Sequence, residues 1–347
     1  MPDSHGHDMP AHGARELPAV LVDSYNVELR EAGGFIGDRA SSRAFRSILD
    51  DWRDRLRRIA DDPLGEQPSD KVQRRELDKL LVNGDVEAAG VVLSAIEEFA
   101  QELATVCRRL LRLKAWRETE TIVIGGGFRA SRIGELAIGR AAVLLKADGR
   151  DITLQPIRHD PDEAGLLGNT PLVPRWMLSG HEAILAVDIG GTTIRTGVVA
   201  LEWRKHALTE VRMATTKNWR HKDERPGRDA AVDKLVAMLR AQIKRSEKKQ
   251  LRLAPFIGIG CPGLINEAGT IERGGQNLPG NWENSSFNLP RLIRDAIPEI
   301  GGEAAHVLMH NDAVVQGLSE APSMRKVKHW GVLTIGTGLG NAHFTTR

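Results

Sequence analysis

Cysteine is scarce in this chain of 347 residues, which contains only Cys107 and Cys261. Two cysteines so far apart form neither a zinc-ligand motif nor a disulfide framework. The chain also lacks an excess of one charge, because 48 Lys and Arg residues face 46 Asp and Glu residues. This balance gives no electrostatic reason to expect a nucleic-acid partner.

Long apolar runs are missing as well, and none is long enough to cross a membrane. The first residues have no signal-peptide character, so we expect a reduced, cytoplasmic protein without a membrane partner. No Gly-Lys pair occurs, which excludes a Walker lysine loop. The remaining composition, 41% hydrophobic and 27% charged, is ordinary for a globular chain that is long enough for two lobes.

Strand and helix patterns alternate along the chain, which predicts an α/β protein with mainly parallel sheets. Residues 1–18 are expected to form a flexible polar tail, although His5, His7 and His12 could instead bind a metal. Residues 85–113 have the longest helical pattern, as one helix or two. Other helices are predicted at 41–59, 133–146, 161–169 and 229–248, and strands at 19–22, 152–157, 255–260, 307–310 and 331–335.

The most informative motif begins with an apolar strand that starts at Ile184 and delivers Asp188 to a turn containing Gly190 and Gly191. Two threonines and a second apolar strand follow. Glycines let backbone amides approach an anion closely. The motif therefore predicts a phosphate-binding turn in a strand–turn–strand unit.

Four other motifs each have a structural alternative. Gly258–Gly263 matches the dinucleotide-binding pattern, but turn residues follow it where that pattern needs a helix, which disfavours a dehydrogenase. Asp312 is either a helix cap or a general base at the carboxyl end of a strand. Gly336–Gly340 is either a phosphate loop or a hairpin turn. Gly125–Gly127, which end a buried strand from Thr121, are either a binding loop or a tight strand-to-helix connection.

Five motifs taken in order are much more specific than any single glycine loop. They are Asp188-Ile-Gly-Gly-Thr-Thr, Gly258-Ile-Gly-Cys-Pro-Gly-Leu-Ile, Asn277-Leu-Pro-Gly-Asn-Trp282, Asn311-Asp312-Ala313 and Gly336-Thr-Gly-Leu-Gly340. From Ile184 to the C-terminus, this order resembles the ROK family (repressors, open reading frames and sugar kinases) of the actin-like ATPase superfamily. The resemblance implies a two-lobe actin-like ATPase (ribonuclease H-like) fold. It also implies glucokinase-like phosphorylation of a hexose or hexosamine hydroxyl with ATP and Mg²⁺.

The resemblance further implies a role for each matching residue. Asp312 would be the catalytic base, and Asp188 would hold Mg²⁺ directly or through water. The sugar would contact Asn277, Asn311 and Glu16. One glycine loop, Gly125–Gly127, ends the strand that begins at Thr121, and the other, Gly336–Gly338, follows Ile335. Both loops should then line the same cleft as Asp188. The implied ATP-binding residues are Asp188, Gly190, Gly191, Thr192, Thr193, Gly336, Thr337, Gly338, Gly125, Gly126 and Gly127.

The N-terminal half resembles the part that ordinarily follows the second phosphate loop in this family. Residues 83–111 resemble its long helices, 121–127 its adenosine-loop strand and 162–168 its closing helix. We therefore expect a circularly permuted order. In it, 1–170 and 321–347 belong to the large lobe, 171–182 is a linker and 183–320 is the small lobe.

One segment departs from the family pattern. The family's Glu-x-Gly-His sequence is replaced around Glu16, where Ala19 stands at the histidine position and no cysteine occurs from there to Arg46. We expect no structural zinc. Glucose, mannose and an N-acetylated hexosamine all stay open as the small-molecule substrate.

A non-catalytic protein that senses a sugar or a nucleotide on the same fold is the alternative function. Retention of Asp312 argues for the enzyme, and the lost zinc segment argues for the sensor. The N-terminus shows no helix pair for DNA binding, so a transcription factor is disfavoured. The resemblance implies a homodimer, with the oligomeric state left open.

Overall fold

The computed structural model describes residues 9–31 and 34–347, which divide into two compact units. Unit 1 comprises the described residues up to Asn26, together with Asp162–Lys328 and Phe344–Arg347. Unit 2 comprises Val27–Pro161 and His329–His343. The described residues up to Asn26 therefore group with most of the predicted small lobe, 183–320. The sequence had led us to expect them in the large lobe, together with the rest of 1–170.

Strands and helices alternate through most of the described chain, and none of the described helices is long and apolar enough to cross a membrane. The α-helices are α1 (Ser42–Arg57), α2 (Arg74–Asn83), α3 (Val86–Leu110), α4 (Arg132–Ala147), α5 (Pro161–Leu167), α6 (Arg175–Leu178), α7 (His221–Glu224), α8 (Arg228–Lys248), α9 (Leu289–Ala296) and α10 (Asp312–Leu318). The strands are β1 (Val20–Tyr25), β2 (Arg30–Glu31), β3 (Gly34–Phe35), β4 (Thr121–Gly125), β5 (Thr153–Pro156), β6 (Ala183–Ile189), β7 (Ile194–Arg204), β8 (Ala207–Trp219), β9 (Leu253–Cys261), β10 (Leu264–Ile265), β11 (Ile271–Arg273), β12 (Glu299–Ile300), β13 (Glu303–Ala304), β14 (His306–Asn311), β15 (His329–Ile335) and β16 (Leu339–Thr346).

Unit 1 is built on a mixed sheet with the strand order β14-β9-β6-β7-β8. The first three of these strands are parallel, and β6, β7 and β8 form an antiparallel meander. Strand β9 is buried along its whole length, as expected for a central parallel strand with both faces covered. Side chains of α8 and α9 pack into the same apolar core as β6 and β9.

Unit 2 is built on a second mixed sheet, in which its strands have the order β16-β15-β4-β5. Strands β15, β4 and β5 are parallel. In unit 2, α3 is one continuous helix, and its Phe99 ring packs against Phe45 and Phe128 at centroid distances of 5.7 and 4.7 Å. The α/β class is confirmed, but the expectation of mainly parallel sheets is wrong because β8 and β16 return as antiparallel hairpin partners.

Two expected irregular segments contain ordered structure. The expected linker includes α6, and Leu172 and Leu178 on either side of its start are buried, so apolar burial holds this stretch in place. In the expected tail, the Gly13 amide donates to the Met309 carbonyl at 3.0 Å. The Met309 amide in turn donates to His12 Nδ1 at 3.1 Å. Residues 1–8, with His5 and His7, lie outside the described residues.

Gly126 is held in a conformation that other residues rarely adopt, with φ of 81°. A Cβ atom there would lie 2.4 Å from the Ile335 carbonyl oxygen. We expect Gly126→Ala to lower the free energy of unfolding by at least about 2 kcal/mol, because backbone strain and a backbone clash add. Chemical denaturation measures this loss.

Gly139→Ala is the matched control, since Gly139 lies in the middle of α4 with nothing within 4 Å of its added Cβ. This variant should gain up to about 1 kcal/mol from helix propensity. Equal effects of the two substitutions would contradict the assigned role of Gly126.

Candidate functional site

The carboxyl ends of three parallel strands meet at one edge of the sheet in unit 1. Asp188 on β6 pairs with Gly260 on β9, and Asn311 on β14 pairs with Cys261. Asp312 follows as the first residue of α10. Because these strands run in the same direction, their ends bring two carboxyl side chains, those of Asp188 and Asp312, to the edge where α/β proteins bind ligands.

Asp188 is nearly buried and is paired with an arginine from the neighbouring strand. The β6–β7 hairpin places Asp188 opposite Arg195, and Arg195 Nη1 donates to Asp188 Oδ2 at 3.1 Å. The other guanidinium nitrogen, Nη2, donates to Asp162 at the start of α5. Burial raises the pKa of Asp188 above its ordinary value, and the Arg195 charge opposes that rise.

Helix α5 approaches the Asp188 carboxylate closely because residue 165 is glycine. A Cβ atom on Gly165 would lie 2.7 Å from Asp188 Cγ. Any larger side chain would displace either the helix or the carboxylate, so Gly165 fixes the distance between them.

Asp312 has the protonation behaviour expected of a base at neutral pH. Burial, and secondarily the negative charge of Asp188, raise the pKa of Asp312 to about 7, although the Ala313 amide donates to its Oδ1 at 2.9 Å. Burial likewise raises the pKa of Cys261 well above its ordinary value. The thiol stays protonated, so Asp312 is the group here that exchanges protons near pH 7.

Asn311, and not Asp312, is the N-cap of α10. Its Oδ1 accepts hydrogen bonds from the amides of Ala313 and Val314 at 3.0 and 3.3 Å, and its Nδ2 donates to the Gly263 carbonyl at 2.9 Å. The predicted capping alternative therefore applies to Asn311. The Asp312 side chain instead accepts a hydrogen bond from the Ala313 amide.

His310 holds the segment that precedes the base. Its Nδ1 accepts from the Asn311 amide at 2.7 Å, so its Nε2 carries the proton and donates to the Ala14 carbonyl at 3.0 Å. Burial lowers the pKa of His310 to about 4, which keeps the ring neutral. His310 consequently adds no charge beside Asp312.

The turn after Asp188 is suited to an anion. The Gly190 amide closes the turn by donating to the Thr193 carbonyl at 2.9 Å. Among the residues that the structure describes, no backbone carbonyl accepts from the amides of Gly191 or Thr192. A Cβ on Gly191 would lie 2.9 Å from Asn277 Cβ, so Asn277 sits directly against the turn. The structure thus brings Asn277 to the glycine turn.

Glu16 lies further from the carboxylates. It is exposed, its Oε2 is 3.5 Å from Arg347 Nη2, and it borders a groove of about 500 Å³ that Tyr25 and Ile265 also line. The backbone connects it to the site, since Ala14 two residues earlier accepts the His310 hydrogen bond. Glu16 is therefore beside the site edge and is not in contact with the base.

The remaining predicted residues lie in unit 2, where the structure brings two glycine loops together. Thr334 on β15 pairs with Gly125 on β4, so Gly125–Gly127 and Gly336–Gly338 follow neighbouring parallel strands at the same edge. The Gly336 amide donates to the Gly338 carbonyl at 2.9 Å, and the Ser42 amide donates to the Gly336 carbonyl at 2.9 Å. Gly336–Gly338 is thus also the turn between β15 and β16.

Sequence reasoning missed Arg195 and Asp162. The sequence did contain a signal for Arg195. In a hairpin whose four-residue turn makes Ile189 pair with Ile194, Asp188 must pair with Arg195. No comparable signal existed for Asp162, whose contact with Arg195 depends on how α5 packs.

The donor set fits a magnesium–phosphate group. Across residues 9–31 and 34–347, no three His, Cys, Asp or Glu side chains cluster as a metal site. Magnesium bound to a nucleotide needs only one or two carboxylates, because water and phosphate oxygens complete its shell. Asp188 beside the amides of Gly191 and Thr192 meets that requirement.

Comparison with known proteins relates part of the chain to sugar kinases. No family model matches the chain. A glucokinase from Thermotoga maritima is 26% identical over 162 residues, which cover 47% of this chain and 44% of that protein. Over about half of its length, this chain is distantly similar to that glucokinase. The chain spans less than half of that relative's length.

Two solved ROK structures also match part of the chain. The ROK hexokinase from Thermus thermophilus is 22% identical, with 46% of this chain and 45% of that chain covered and a TM-score of 0.30. The ROK glucokinase from Streptomyces griseus, in complex with glucose and AMPPNP, is 21% identical, with 48% and 46% covered and a TM-score of 0.33.

Arg195→Met should leave the buried Asp188 carboxylate without its counter-charge. We expect a loss of about 3 kcal/mol in the free energy of unfolding at pH 7, measured by chemical denaturation. A carboxyl group whose pKa is raised in the folded state favours folding when protonated. The loss should therefore shrink as the pH falls toward the ordinary pKa of Asp and grow as the pH rises through the folded-state value.

Arg212→Met is the matched control. Arg212 pairs with Glu202 at 2.7 Å but its side chain is 62% exposed, so its removal should change stability by less than about 0.5 kcal/mol. A loss for Arg195→Met no larger than for this control would contradict the pairing argument.

Proposed function

We propose that this protein is an ATP-dependent kinase that phosphorylates a hydroxyl group of a hexose or hexosamine. The observation that carries the proposal is the pair of carboxyl groups at the ends of parallel strands, with the pKa of Asp312 at about 7. Distant homology to a glucokinase supports it. A group that is partly ionised at neutral pH both accepts a proton and releases it again.

In this proposal Asp312 is the general base. As the sugar oxygen forms its bond to the γ-phosphorus and the bond to the β-phosphate oxygen breaks, the hydroxyl proton passes to the Asp312 carboxylate. Asp188, oriented by Arg195, would hold magnesium directly or through water. Magnesium supplies neutralisation of phosphate charge, which is the main requirement of phosphoryl transfer.

Phosphate binding is assigned to the backbone amides at the glycine loops. In unit 1 these belong to Gly190–Thr193, where two amides are free of carbonyl partners. In unit 2 they belong to Gly336–Gly338, next to Gly125–Gly127 for adenosine. Backbone amides suit this role because they bind anions without adding a titrating group.

Sugar binding is assigned to Asn277, Asn311 and Glu16. Asn277 is exposed and lies against Gly191, so its amide is available to a hydroxyl. Asn311 already uses its oxygen to cap α10, which leaves one N–H of its amide. Glu16 contributes from the neighbouring groove.

Asp312→Asn tests the proposal, with sugar-dependent ADP release as the measurement. We expect kcat to fall by about 100-fold or more, because removal of a general base costs about two to four orders of magnitude. In the wild type, kcat/KM should rise with pH and level off above about 7, as Asp312 loses its proton. Glucose, mannose and N-acetylglucosamine form the substrate panel.

Asp229→Asn is the matched control, since Asp229 also lies in the first turn of a helix but is exposed. It should leave kcat unchanged. Full activity of Asp312→Asn would overturn the base assignment. Binding of sugar and of an ATP analogue by calorimetry, without turnover by the wild type, would instead establish the sensing function.

We also propose that the order of segments is rearranged relative to the family. In support, the parallel strands of the second sheet come from opposite halves of the chain, with β15 beside β4. The last residue also lies near the start of β1, since the Arg347 amide donates to the Ala19 carbonyl at 3.2 Å.

A re-ordered chain tests this second proposal. It begins at His181, runs to Arg347, continues through a short Gly/Ser linker into residue 9 and ends at Gly180, an exposed position with open space around it. We expect a melting temperature within a few degrees of the original, because new ends in exposed turns are tolerated. A chain opened inside β6, between Leu185 and Ala186, is the control that should fail to fold. Failure of both re-ordered chains would contradict the proposal.

A further inference from the structure

A buried polar group beside the candidate site has no partner among the residues that the structure describes. The side-chain nitrogen of Asn26, Nδ2, is buried and makes no hydrogen bond in the described structure. Buried N–H groups are almost always satisfied in native proteins, so an orphan donor requires an explanation. None of the sequence motifs includes Asn26.

The backbone of Asn26 is also unusual. It follows β1 with φ of 51°, in the left-handed region that costs most side chains energy and that asparagine tolerates best. The preceding residue is fixed on both sides: Tyr25 donates from its hydroxyl to the Ile265 carbonyl at 3.0 Å, and its ring packs on His310 at 5.2 Å. Strain in a segment that is held so firmly is typical of a functional position.

Two glycines make room for the Asn26 amide. A Cβ on Gly274, where φ is 91°, would lie 3.1 Å from Asn26 Nδ2 and 2.8 Å from the Cα of Gly263. Gly263 in turn accepts the hydrogen bond from Asn311, the residue before the base. Asn26 therefore lies one glycine pair away from the Asn311–Asp312 segment.

The loop that contains Gly274 also leads to the other candidate residues of unit 1. Gly274 stands three residues before Asn277, and Asn277 lies against the Gly191 turn that follows Asp188. The orphan amide is thus connected by close contacts to both the base segment and the phosphate turn. A pre-positioned N–H donor in such a place lacks only an acceptor oxygen.

We propose that Asn26 binds the substrate by donating a hydrogen bond from Nδ2 to a sugar oxygen, either a hydroxyl or an acetamido carbonyl. This inference rests on the proposed kinase function and adds a residue that decides sugar affinity. Asn26 is a binding residue and takes no part in proton transfer.

Asn26→Asp and Asn26→Gly test the inference, because aspartate and glycine both tolerate the left-handed backbone. The first replaces the donor with an acceptor and the second removes the side chain. We expect KM for the sugar to rise by about tenfold or more, equivalent to about 1.4 kcal/mol, with KM for ATP and the melting temperature unchanged. Gln250→Glu, at an exposed position with a similarly left-handed φ of 55°, is the control and should change neither constant.

Each outcome decides the matter. An unchanged sugar KM in both variants overturns the role of Asn26 while the kinase function stands. A parallel rise of both KM values with a lower melting temperature also overturns it, because it indicates a structural role. If the wild type neither binds nor phosphorylates glucose, mannose or N-acetylglucosamine, the kinase function fails and this inference fails with it.

Discussion

The burial of the Asp188 carboxylate is the constraint on which the rest of the site depends. An ionised carboxylate removed from water requires a counter-charge, and Arg195, which pairs with Asp188 across the β6–β7 hairpin, supplies it. That guanidinium is in turn shared with Asp162, so the start of α5 must lie over the hairpin. Gly165 then has to lack a side chain, because the carboxylate occupies the space. One buried charge thus fixes a strand register, a helix position and a glycine.

The same charge also acts on Asp312. Burial raises the pKa of Asp312 to about 7, and the nearby negative charge of Asp188 adds to that rise because it disfavours a second ionised carboxyl group. Cys261 and His310 are also buried at this edge, but both stay neutral at pH 7 and do not counter the effect. The sheet edge consequently carries one carboxyl group paired with arginine and one that titrates near neutrality. Two carboxyl groups in such different surroundings suit different roles in a single reaction.

Local sequence patterns were sufficient to predict many of the helices and strands, and also the residues at the strand ends. The α3 helix, the β6–β7 hairpin and the ends of β9 and β14 follow from apolar periodicity and from glycine turns, both of which are short-range signals. The strand β8 was missed because its exposed residues give it no apolar period. The contacts of Asp162 and Asn26 could not be predicted, since each depends on packing between segments far apart in the chain. Asn311 was expected to contact sugar, and only the geometry of α10 reveals it as the cap.

Chain order matters less to this architecture than strand adjacency does. In each unit, the candidate residues lie together because parallel strands end at a common edge. These strands are β6, β9 and β14 in unit 1, and β4 and β15 in unit 2. Strand β15 reaches β4 across some two hundred residues, yet lengthening a connection costs little, since each doubling of loop length adds only about 0.6 kcal/mol. The packing of side chains between neighbouring strands contributes a far larger free energy than this entropic cost. A rearranged order of segments therefore preserves the positions of Asp188, Asp312 and the glycine loops, provided that the same strands remain neighbours.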